Sequence, residues 1–495
     1  MLSPRFPGSS TGHRCRRGII EMTGAVPLYC AAALLAFTAS FLTASSGRPS
    51  HTDDAWFLNV CARVLNGEVL YRDTFCGVTP LAFYFHIAAA KLLGNTAPLL
   101  QLIRHLLFAA TAVLTLAISR AVNLPLMASA ILIQLLLLWS TPVLASPYTH
   151  WALLFLLGTW LAAIRLIHGG RMRWAIVAGA MAGLAFAAKQ NVGLLALGAL
   201  LAVVAAHFGR RSARPALTAI ASFLCAIAPF LAKIAASGAW PWFISQGFSG
   251  KSVYLARFWR FALQGAVNLT PIGEIREFGL LEGLLDWCPA TIYYATPVLL
   301  FLLIHHRRDP HARVISIFAA AGLTASLPVP DAWHLLLAAP GLAVACACAL
   351  SRSRFRPVTA RMFSGLLLIL LAGHLWLSQR YKPAAPAQDA KLLLAHSANG
   401  TLFVLHPAAP LFYFNSNLRN PTRYDYPLVT PFGRNGQQEV IRQIREGSLD
   451  RVCLHPLSGE WMTMAPEQLI RFIHTSMVPG PDLGPCRIYT TPTRK

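Results

Sequence analysis

Two adjacent carboxylates, Asp53 and Asp54, follow the first long apolar segment of the chain, in the stretch HTDDAWFLNVCARVLNGEVLYRDTF (51–75). Glu68 and Asp73 lie in the same stretch, although the chain has only 19 acidic residues among 495. A carboxylate can take a proton from an attacking hydroxyl group, and it can also stabilise a helix N-terminus. Because DDAWFLNVCARVL predicts a helix that starts directly after the pair, both roles remain open.

The composition predicts that these acids belong to an α-helical polytopic membrane protein. The chain is 55% hydrophobic and 12% charged, with a mean hydropathy of +0.52. A soluble chain carries about 25% charged residues. Many windows of about 20 residues lack any charge, which is long enough to cross the roughly 30 Å hydrocarbon core of a bilayer.

The net charge of +23 could indicate a nucleic-acid partner, since such proteins carry a basic face. The arginines instead occur in short clusters between apolar segments, as HRCRRG, GGRMR, GRRSAR, HHRRDPHAR and SRSRFRPVTAR. The positive-inside bias of cytoplasmic loops produces this arrangement. The charge pattern therefore argues against nucleic-acid binding.

Apolar windows predict about eleven transmembrane helices, at 24–46, 97–119, 124–142, 148–167, 173–188, 192–208, 215–236, 288–305, 312–327, 332–350 and 362–378. With the N-terminus in the cytoplasm, every arginine cluster falls on the cytoplasmic side and the C-terminus lies outside. The short segment 80–94 follows a proline, which favours an interfacial helix over a further span. The first segment could be a signal peptide, but its apolar run is about twice the usual length, which favours a retained helix.

The predicted organisation has a cytoplasmic tail, 1–23, a transmembrane domain, 24–378, and a small soluble extracytoplasmic α/β domain, 379–495. The transmembrane domain carries two outer loops, 47–96 and 237–287. GKSVYLARFWRFALQG in the second loop predicts an amphipathic helix on the membrane surface. In the last domain TLFVLH, DRVCLH and CRIYTT predict strands, and QQEVIRQIREG and PEQLIRFIHTSM predict helices.

The positions of the acids restrict the function. No Asp or Glu occurs between Asp73 and Glu274, and none falls deep inside a predicted span. A proton- or cation-coupled transporter needs ionisable groups at membrane depth, so the pattern argues against that class. Any chemistry is expected at the outer membrane surface.

The ten cysteines show no Cys-x-x-Cys motif and no His/Cys ligand spacing, so the sequence gives no support for a dedicated metal site. Cys453 with Cys486, or Cys61 with Cys76, could form a disulfide in an oxidising compartment. The sequence leaves both pairings open.

Three segments together resemble a known family. They are HTDDAWFLNVCARVLNGEVLYRDTFCGVTPLAFYF (51–85), AAKQNVG (187–193) and PVPDAWHLLLAAP (328–340). An acid pair, an interfacial helix, a G-x-x-x-Y-R-D segment, a Lys-Gln motif and a Pro-Asp-x-x-His-Leu element resemble those of GT-C glycosyltransferases. The similarity is to the protein O-mannosyltransferase and lipid A aminoarabinose transferase type, and is greatest to uncharacterised bacterial relatives. One departure is Val78-Thr79-Pro80, where the aminoarabinose transferase type has Lys-Pro-Pro with a lysine that contacts the donor phosphate.

The resemblance implies transfer of one sugar from a polyprenyl-phosphate donor to an acceptor hydroxyl, with inversion at the anomeric carbon. It implies a multi-pass protein of the bacterial inner membrane, with a cytoplasmic N-terminus and a periplasmic C-terminal domain. The resemblance does not identify the sugar, and it does not say whether the acceptor is a lipid, a glycan or a protein. No cofactor is certain; a divalent cation is possible, because two carboxylates could hold one, but the resemblance does not lead us to expect it.

The resemblance also implies residue roles. Asp53 matches the catalytic base, and Asp54 would support the acceptor or shape the loop. Outward cations assigned to the donor phosphate or lipid are Arg72, Lys189, Arg104 and Arg260. Polar residues assigned to the sugar or acceptor are Asp73, Tyr148, His150, Gln190, Asn191, Asp331 and His334.

Other interpretations remain. The cations could extend to lipid headgroups, and the acids could serve only to cap a helix. The protein could be a non-enzymatic carrier or flippase of lipid-linked sugars, or a membrane scaffold of cell-envelope assembly. A ligase or polymerase of surface polysaccharide fits less well, because its large outer loop usually comes late in the chain.

Overall fold

A computed structural model describes residues 11–43, 52–140, 146–248, 259, 309–327, 332–352, 357–380, 387–397, 399–416, 418–426, 429–456 and 466–492. The predicted span at 288–305 and, apart from residue 259, the predicted amphipathic helix at 250–265 lie outside these residues. So do Arg260 and Asp331.

Helices occupy the first three quarters of the described chain. They are α1 (Thr11–Thr43), α2 (Thr52–Leu65), α3 (Leu81–Leu93), α4 (Ala97–Ala121), α5 (Leu126–Ser140), α6 (Pro147–Gly169), α7 (Arg173–Ala188), α8 (Gln190–Phe208), α9 (Ala213–Ala236), α10 (Trp240–Gly247), α11 (Pro310–Ala325), α12 (Ala332–Leu335), α13 (Ala339–Arg352) and α14 (Pro357–Arg380). Helical structure is thus present at ten of the eleven predicted spans.

The predicted helix at 332–350 differs from the structure, which divides it into α12 and α13. The break precedes Pro340, the second residue of α13. Proline has no backbone N–H and disfavours helical geometry in the residue before it. The apolar composition of this segment gives no indication of the break between the two helices.

Four helical segments in the described part of the chain are long and apolar enough to cross a membrane: α4, α6, α8 with the turn that follows it, and α9. Shorter apolar stretches lie in α1, α3, α5, α7, α13 and α14. α3 has 13 residues, so it is about 20 Å long at 1.5 Å per residue. That is shorter than the roughly 30 Å hydrocarbon core, and the interfacial position of α3 stays a prediction.

Two glycines allow α7 to pack closely against α9. Gly179 and Gly183 lie four residues apart in GAMAG and therefore on one helix face. A Cβ atom at Gly179 would lie 2.1 Å from the carbonyl oxygen of Ala219, and one at Gly183 would lie 2.6 Å from that of Phe223. Small residues at this spacing let helix backbones approach within a bilayer, where van der Waals packing drives association.

α2 and α3 pack together beside the helical core. The rings of Phe57 and Phe83 stack with centroids 4.5 Å apart, and both side chains are buried. The Oδ1 atom of Asn95, just after α3, accepts from Nε2 of His86 at 3.0 Å, and its Nδ2 group donates to the carbonyl of Leu58 at 2.9 Å. These contacts fix the orientation of α2, whose first turn carries the acid pair.

The C-terminal part contains α15 (Ala387–Ala395), β1 (Phe403–Leu405), α16 (Ala409–Ser416), α17 (Val429–Glu446), β2 (Arg451–Leu454), α18 (Glu467–Ser476), β3 (Val478–Asp482) and β4 (Arg487–Thr490). The sheet order is β1-β2-β4-β3, with β1 and β2 parallel and the other pairs antiparallel. The predicted strands in TLFVLH, DRVCLH and CRIYTT are confirmed as β1, β2 and β4, and both predicted helices are present. β3, which reads VPGPD, was not predicted because proline is rare inside strands.

Cys453 on β2 forms a disulfide with Cys486, whose Cα atom is 5.6 Å away. Of the two pairings that the sequence left open, this one is present. Cys61 and Cys76 are both fully buried, and burial raises the pKa of the Cys61 thiol well above its usual range. The thiol of Cys76 donates to the carbonyl of Val78 at 3.3 Å.

Candidate functional site

The acid pair lies in the first turn of α2, where its two carboxylates have different surroundings. Successive residues of a helix point about 100° apart. Asp54 therefore faces the protein interior and is 1% exposed, whereas Asp53 is only half-buried. The predicted helix is confirmed, but it begins at Thr52, so the pair belongs to the helix and does not precede it.

Asp54 forms an ion pair with Arg104 of α4. The Nη2 group of Arg104 donates to Oδ1 of Asp54, and the arginine is 2% exposed. Two further nitrogens of the guanidinium group, Nε and Nη1, have no hydrogen-bond partner within the part of the chain that the structure describes. Arginine and aspartate thus neutralise each other at the inner side of α2.

Asp53 contacts the N-terminus of α6. The hydroxyl of Ser146 donates to Oδ2 of Asp53 at 2.7 Å. Ser146 directly precedes Pro147, the first residue of α6, and is buried. The carboxylate therefore lies where the first turns of α2 and α6 meet.

Lys189 interrupts the helical path between α7 and α8. Its backbone is extended, with φ −155° and ψ 108°, and it is the one residue between the two helices. The ammonium group lies 3.4 Å from the hydroxyl of Thr149 and 5.6 Å from the ring centroid of Tyr148. The side chain is buried, so the cation is directed into the protein beside the start of α6.

The first turn of α6 also supplies aromatic and imidazole groups. The ring of Tyr148 meets that of Trp56 edge to face, with centroids 6.4 Å apart. His150 is 2% exposed, and both of its ring nitrogens lack a hydrogen-bond partner among the described residues. Its imidazole experiences the charges of Arg104 and Asp54. A buried polar group without a partner is costly, which favours a site that a polar ligand or water completes.

Gln190 and Asn191 hold loops in place. The Nε2 group of Gln190 donates to the carbonyls of Gly77, at 3.1 Å, and Gly247, at 2.8 Å. The Nδ2 group of Asn191 donates to the carbonyl of Ala325 at 3.2 Å. The Oε1 atom of Gln190 and the Oδ1 atom of Asn191 are buried and lack partners among the described residues. Their contacts fix the backbone around the site.

Thr79, in the Val78-Thr79-Pro80 segment, connects the outer loop to α7. Its hydroxyl donates to the carbonyl of Phe186 near the end of α7. Just before it, the phenol of Tyr71 donates to the carbonyl of Val78 at 2.9 Å. Tyr71 is fully buried and has a φ of +72°, a conformation that is uncommon outside glycine. Burial raises the pKa of this phenol well above its usual range.

Arg72 and Asp73 pair with each other on the outer loop and not with the acid pair of α2. The Nε and Nη2 atoms of Arg72 each lie 2.9 Å from an oxygen of Asp73. The backbone N–H of Val69 donates to the same carboxylate at 2.8 Å. The hydrogen bond from Arg72 lowers the pKa of Asp73. His334, another predicted residue, is half-buried in α12.

Arg63 connects α2 to the C-terminal part. It pairs with Glu68 at 2.6 Å and with the buried Asp425 at 2.9 Å. Burial raises the pKa of Asp425, although the charge of Arg63 opposes this. Nearby, the side chain of Asn59 donates to the carbonyl of Pro410 at 2.8 Å. The helix that carries the acid pair, α2, is therefore held both by α3 and by the C-terminal part.

The structure thus brings together Asp53, Asp54, Arg104, Tyr148, His150 and Lys189. Sequence reasoning missed Ser146, Thr149 and Trp56. A serine before a proline is a typical helix start, so SPYTHW did signal the element that carries Ser146 and Thr149. Within the described chain, no group of three His, Cys, Asp or Glu residues is placed to hold a metal ion.

No protein-family model matches this chain, and no curated protein matches it. Among solved structures, the chain is similar to ArnT from Cupriavidus metallidurans in the apo state, with a TM-score of 0.46 and 14% sequence identity. That match covers 95% of this chain and 98% of ArnT. The structure of the same protein bound to undecaprenyl phosphate gives the same TM-score, identity and coverage.

Proposed function

We propose that this protein is a membrane glycosyltransferase of the GT-C type. It moves a single sugar from a polyprenyl-phosphate donor to an acceptor hydroxyl at the outer face of the bacterial inner membrane, with inversion. The observation that carries the proposal is the difference between the two acids: Asp54 is buried in an ion pair, and Asp53 remains accessible at the junction of α2 and α6. The three family-like motifs support the same reaction.

Asp53 acts as the general base. An acceptor hydroxyl that attacks an anomeric carbon must lose its proton, and a carboxylate within hydrogen-bond reach can accept it. A single inverting displacement of a lipid phosphate needs one base, because the phosphate leaves as an anion without protonation. Glycosidases differ, since they require a second carboxyl group as acid. Asp54 serves to neutralise Arg104 and to orient the first turn of α2.

Lys189 is the cation that we assign to the donor phosphate. It is a point charge directed towards the site. Arg104 can also add hydrogen bonds from Nε and Nη1. Arg260 remains a candidate on sequence grounds alone.

His150 and Tyr148 are the residues that we assign to the sugar or the acceptor. An imidazole, when neutral, offers one donor and one acceptor, which match a hydroxyl group. Tyr148 and Trp56 present an aromatic wall beside it. The C-terminal part, which packs on α2, supports the site from the periplasmic side in this proposal.

Mass spectrometry of membrane lipids tests the proposed function. Cells that lack the protein should accumulate one polyprenyl-phosphate sugar, and the wild-type protein should clear it whereas Asp53→Asn should not. The identity of that lipid names the donor sugar. If no lipid-linked sugar changes between the strains, the transferase proposal is wrong and a scaffold role gains support.

A further inference from the structure

Ser146 makes a hydrogen bond that is unusual for its place in the chain. A serine at a helix N-cap usually accepts a hydrogen bond from a backbone N–H of the first turn. Ser146 makes no such bond, although its own carbonyl accepts from Thr149 N at 2.8 Å. Its hydroxyl instead donates to Oδ2 of Asp53 at 2.7 Å, and the side chain is 5% exposed.

The geometry around this bond is built by two helix N-termini. Asp53 lies in the first turn of α2, and Ser146 precedes the first turn of α6. Each N-terminus carries a positive partial charge that favours a nearby carboxylate. Pro147 restricts Ser146 to an extended conformation, with φ −52° and ψ 140°. The hydroxyl is therefore presented to the carboxylate by rigid backbone.

We propose that Ser146 is a positioning residue for Asp53 in the transfer reaction, an inference that rests on the proposed function. Its hydroxyl holds Oδ2 and so fixes the rotation of the carboxylate about the Cβ–Cγ bond. The direction in which Oδ1 points is thereby set. Ser146 touches neither reacting atom and acts through Asp53.

The atoms and charges of the proposed transfer step balance without any chemical change in Ser146. The proton of the acceptor hydroxyl passes to the Asp53 carboxylate, and the hydroxyl oxygen forms a bond to the anomeric carbon. The bond from that carbon to the phosphate oxygen breaks, and its electron pair leaves with the lipid phosphate. Ser146 keeps its proton throughout, so that its loss affects the orientation of the base and not the stoichiometry.

Three variants distinguish positioning from simple packing. Ser146→Ala removes the donor, and Ser146→Thr keeps it on a β-branched side chain that suits extended backbone. Ser119→Ala is the matched control, because Ser119 is a fully buried serine of α4 that bonds to the carbonyl of Leu116 at 2.8 Å, away from the site.

The assay follows transfer of radiolabel from undecaprenyl-phosphate-linked mannose, glucose, galactose or arabinose into envelope material of cells that lack the protein. With the donor that the wild type uses, Ser146→Ala should lower kcat by roughly 10- to 100-fold, the usual cost of a misplaced catalytic group. KM for the donor should stay within about twofold. Ser146→Thr should recover most of kcat, and Ser119→Ala should match the wild type.

The outcomes separate this inference from the proposed function. Transfer by the wild type from none of the four donors counts against the function, and the inference falls with it. If the wild type is active and Asp53→Asn is not, the function stands. In that case a wild-type kcat for Ser146→Ala, an effect on KM alone, or an equal loss in Ser146→Thr would overturn the role of Ser146.

Thermal unfolding in detergent supplies a second readout that needs no substrate. If the hydrogen bond couples the two side chains, the stability effects of Ser146→Ala and Asp53→Ala should be less than additive in the double variant. Additive effects would contradict the contact itself.

Discussion

Replacing each acid of the pair, Asp53 and Asp54, by its amide should distinguish the roles of the two carboxylates. Asp54→Asn leaves the guanidinium of Arg104, which is 2% exposed, without its counter-charge. Removing one partner of a buried ion pair costs about 3–5 kcal/mol. Asp53→Asn keeps an oxygen that can accept from Ser146 and lies at a half-buried position, so we expect a loss of about 1 kcal/mol or less in the free energy of unfolding.

Activity should show the opposite order. Asp53→Asn removes the base and should lower the transfer rate per folded molecule by about 10²–10⁴-fold. Asp54→Asn should chiefly reduce the amount of folded protein. Unfolding is measured by far-UV circular dichroism while dodecyl sulfate is titrated into mild detergent micelles, and transfer is measured with the radiolabelled donor that the wild type uses.

The double variant Asp54→Asn/Arg104→Met serves as the control. It removes both charges, so it should recover much of the stability that Asp54→Asn loses, since a buried ion pair can be replaced by apolar groups at little cost. Our reasoning is refuted if Asp54→Asn costs no more stability than Asp53→Asn, or if the second substitution adds to the loss.

Three further predictions concern other parts of the fold. Gly179→Ala should destabilise the protein strongly, because the new Cβ would lie 2.1 Å from a carbonyl of α9, whereas Gly198→Ala meets nothing within 4 Å and should be neutral in the same melting experiment. Burial lowers the pKa of His406 from 6.5 to about 3, so the unfolded state takes up a proton that the folded state does not as pH falls below about 6.5. Stability should therefore fall from pH 6.5 towards pH 3 less steeply in His406→Asn than in the wild type. Asp425→Asn should weaken the attachment of the C-terminal part by roughly 1–3 kcal/mol and speed its cleavage by trypsin, because it breaks the buried ion pair with Arg63. Glu446→Gln, at an exposed position, is the control and should leave the cleavage rate unchanged. Equal cleavage of the two variants would contradict the role of the buried ion pair.

Local patterns in the sequence were sufficient for most elements. Apolar windows located the helices, and alternating residue types located β1, β2 and β4, because both signals arise from neighbours in the chain. The break before α13 and the strand VPGPD were not found from these patterns. In both segments a proline determines the local geometry, and the composition of the neighbouring residues predicts a different one.

The pairings within the site were harder to predict, since they depend on tertiary packing. The resemblance assigned separate roles to Asp54 and Arg104, although they form one ion pair across a separation of 50 residues. A lone arginine inside an apolar helix needs a partner, and that requirement was the available signal. No comparable signal pointed from Asp53 to Ser146, because a serine hydroxyl has many possible partners.

The contact between Arg63 and Asp425 restricts the path of the chain through the bilayer. These residues are 362 positions apart and bond directly, so both stand on the same side of the membrane. The chain between them must then cross an even number of times. The ten predicted spans between 97 and 378 satisfy this parity, and counting α3 as one more would violate it. A single buried ion pair thus constrains the number of membrane crossings, which tags placed before and after each helix can test.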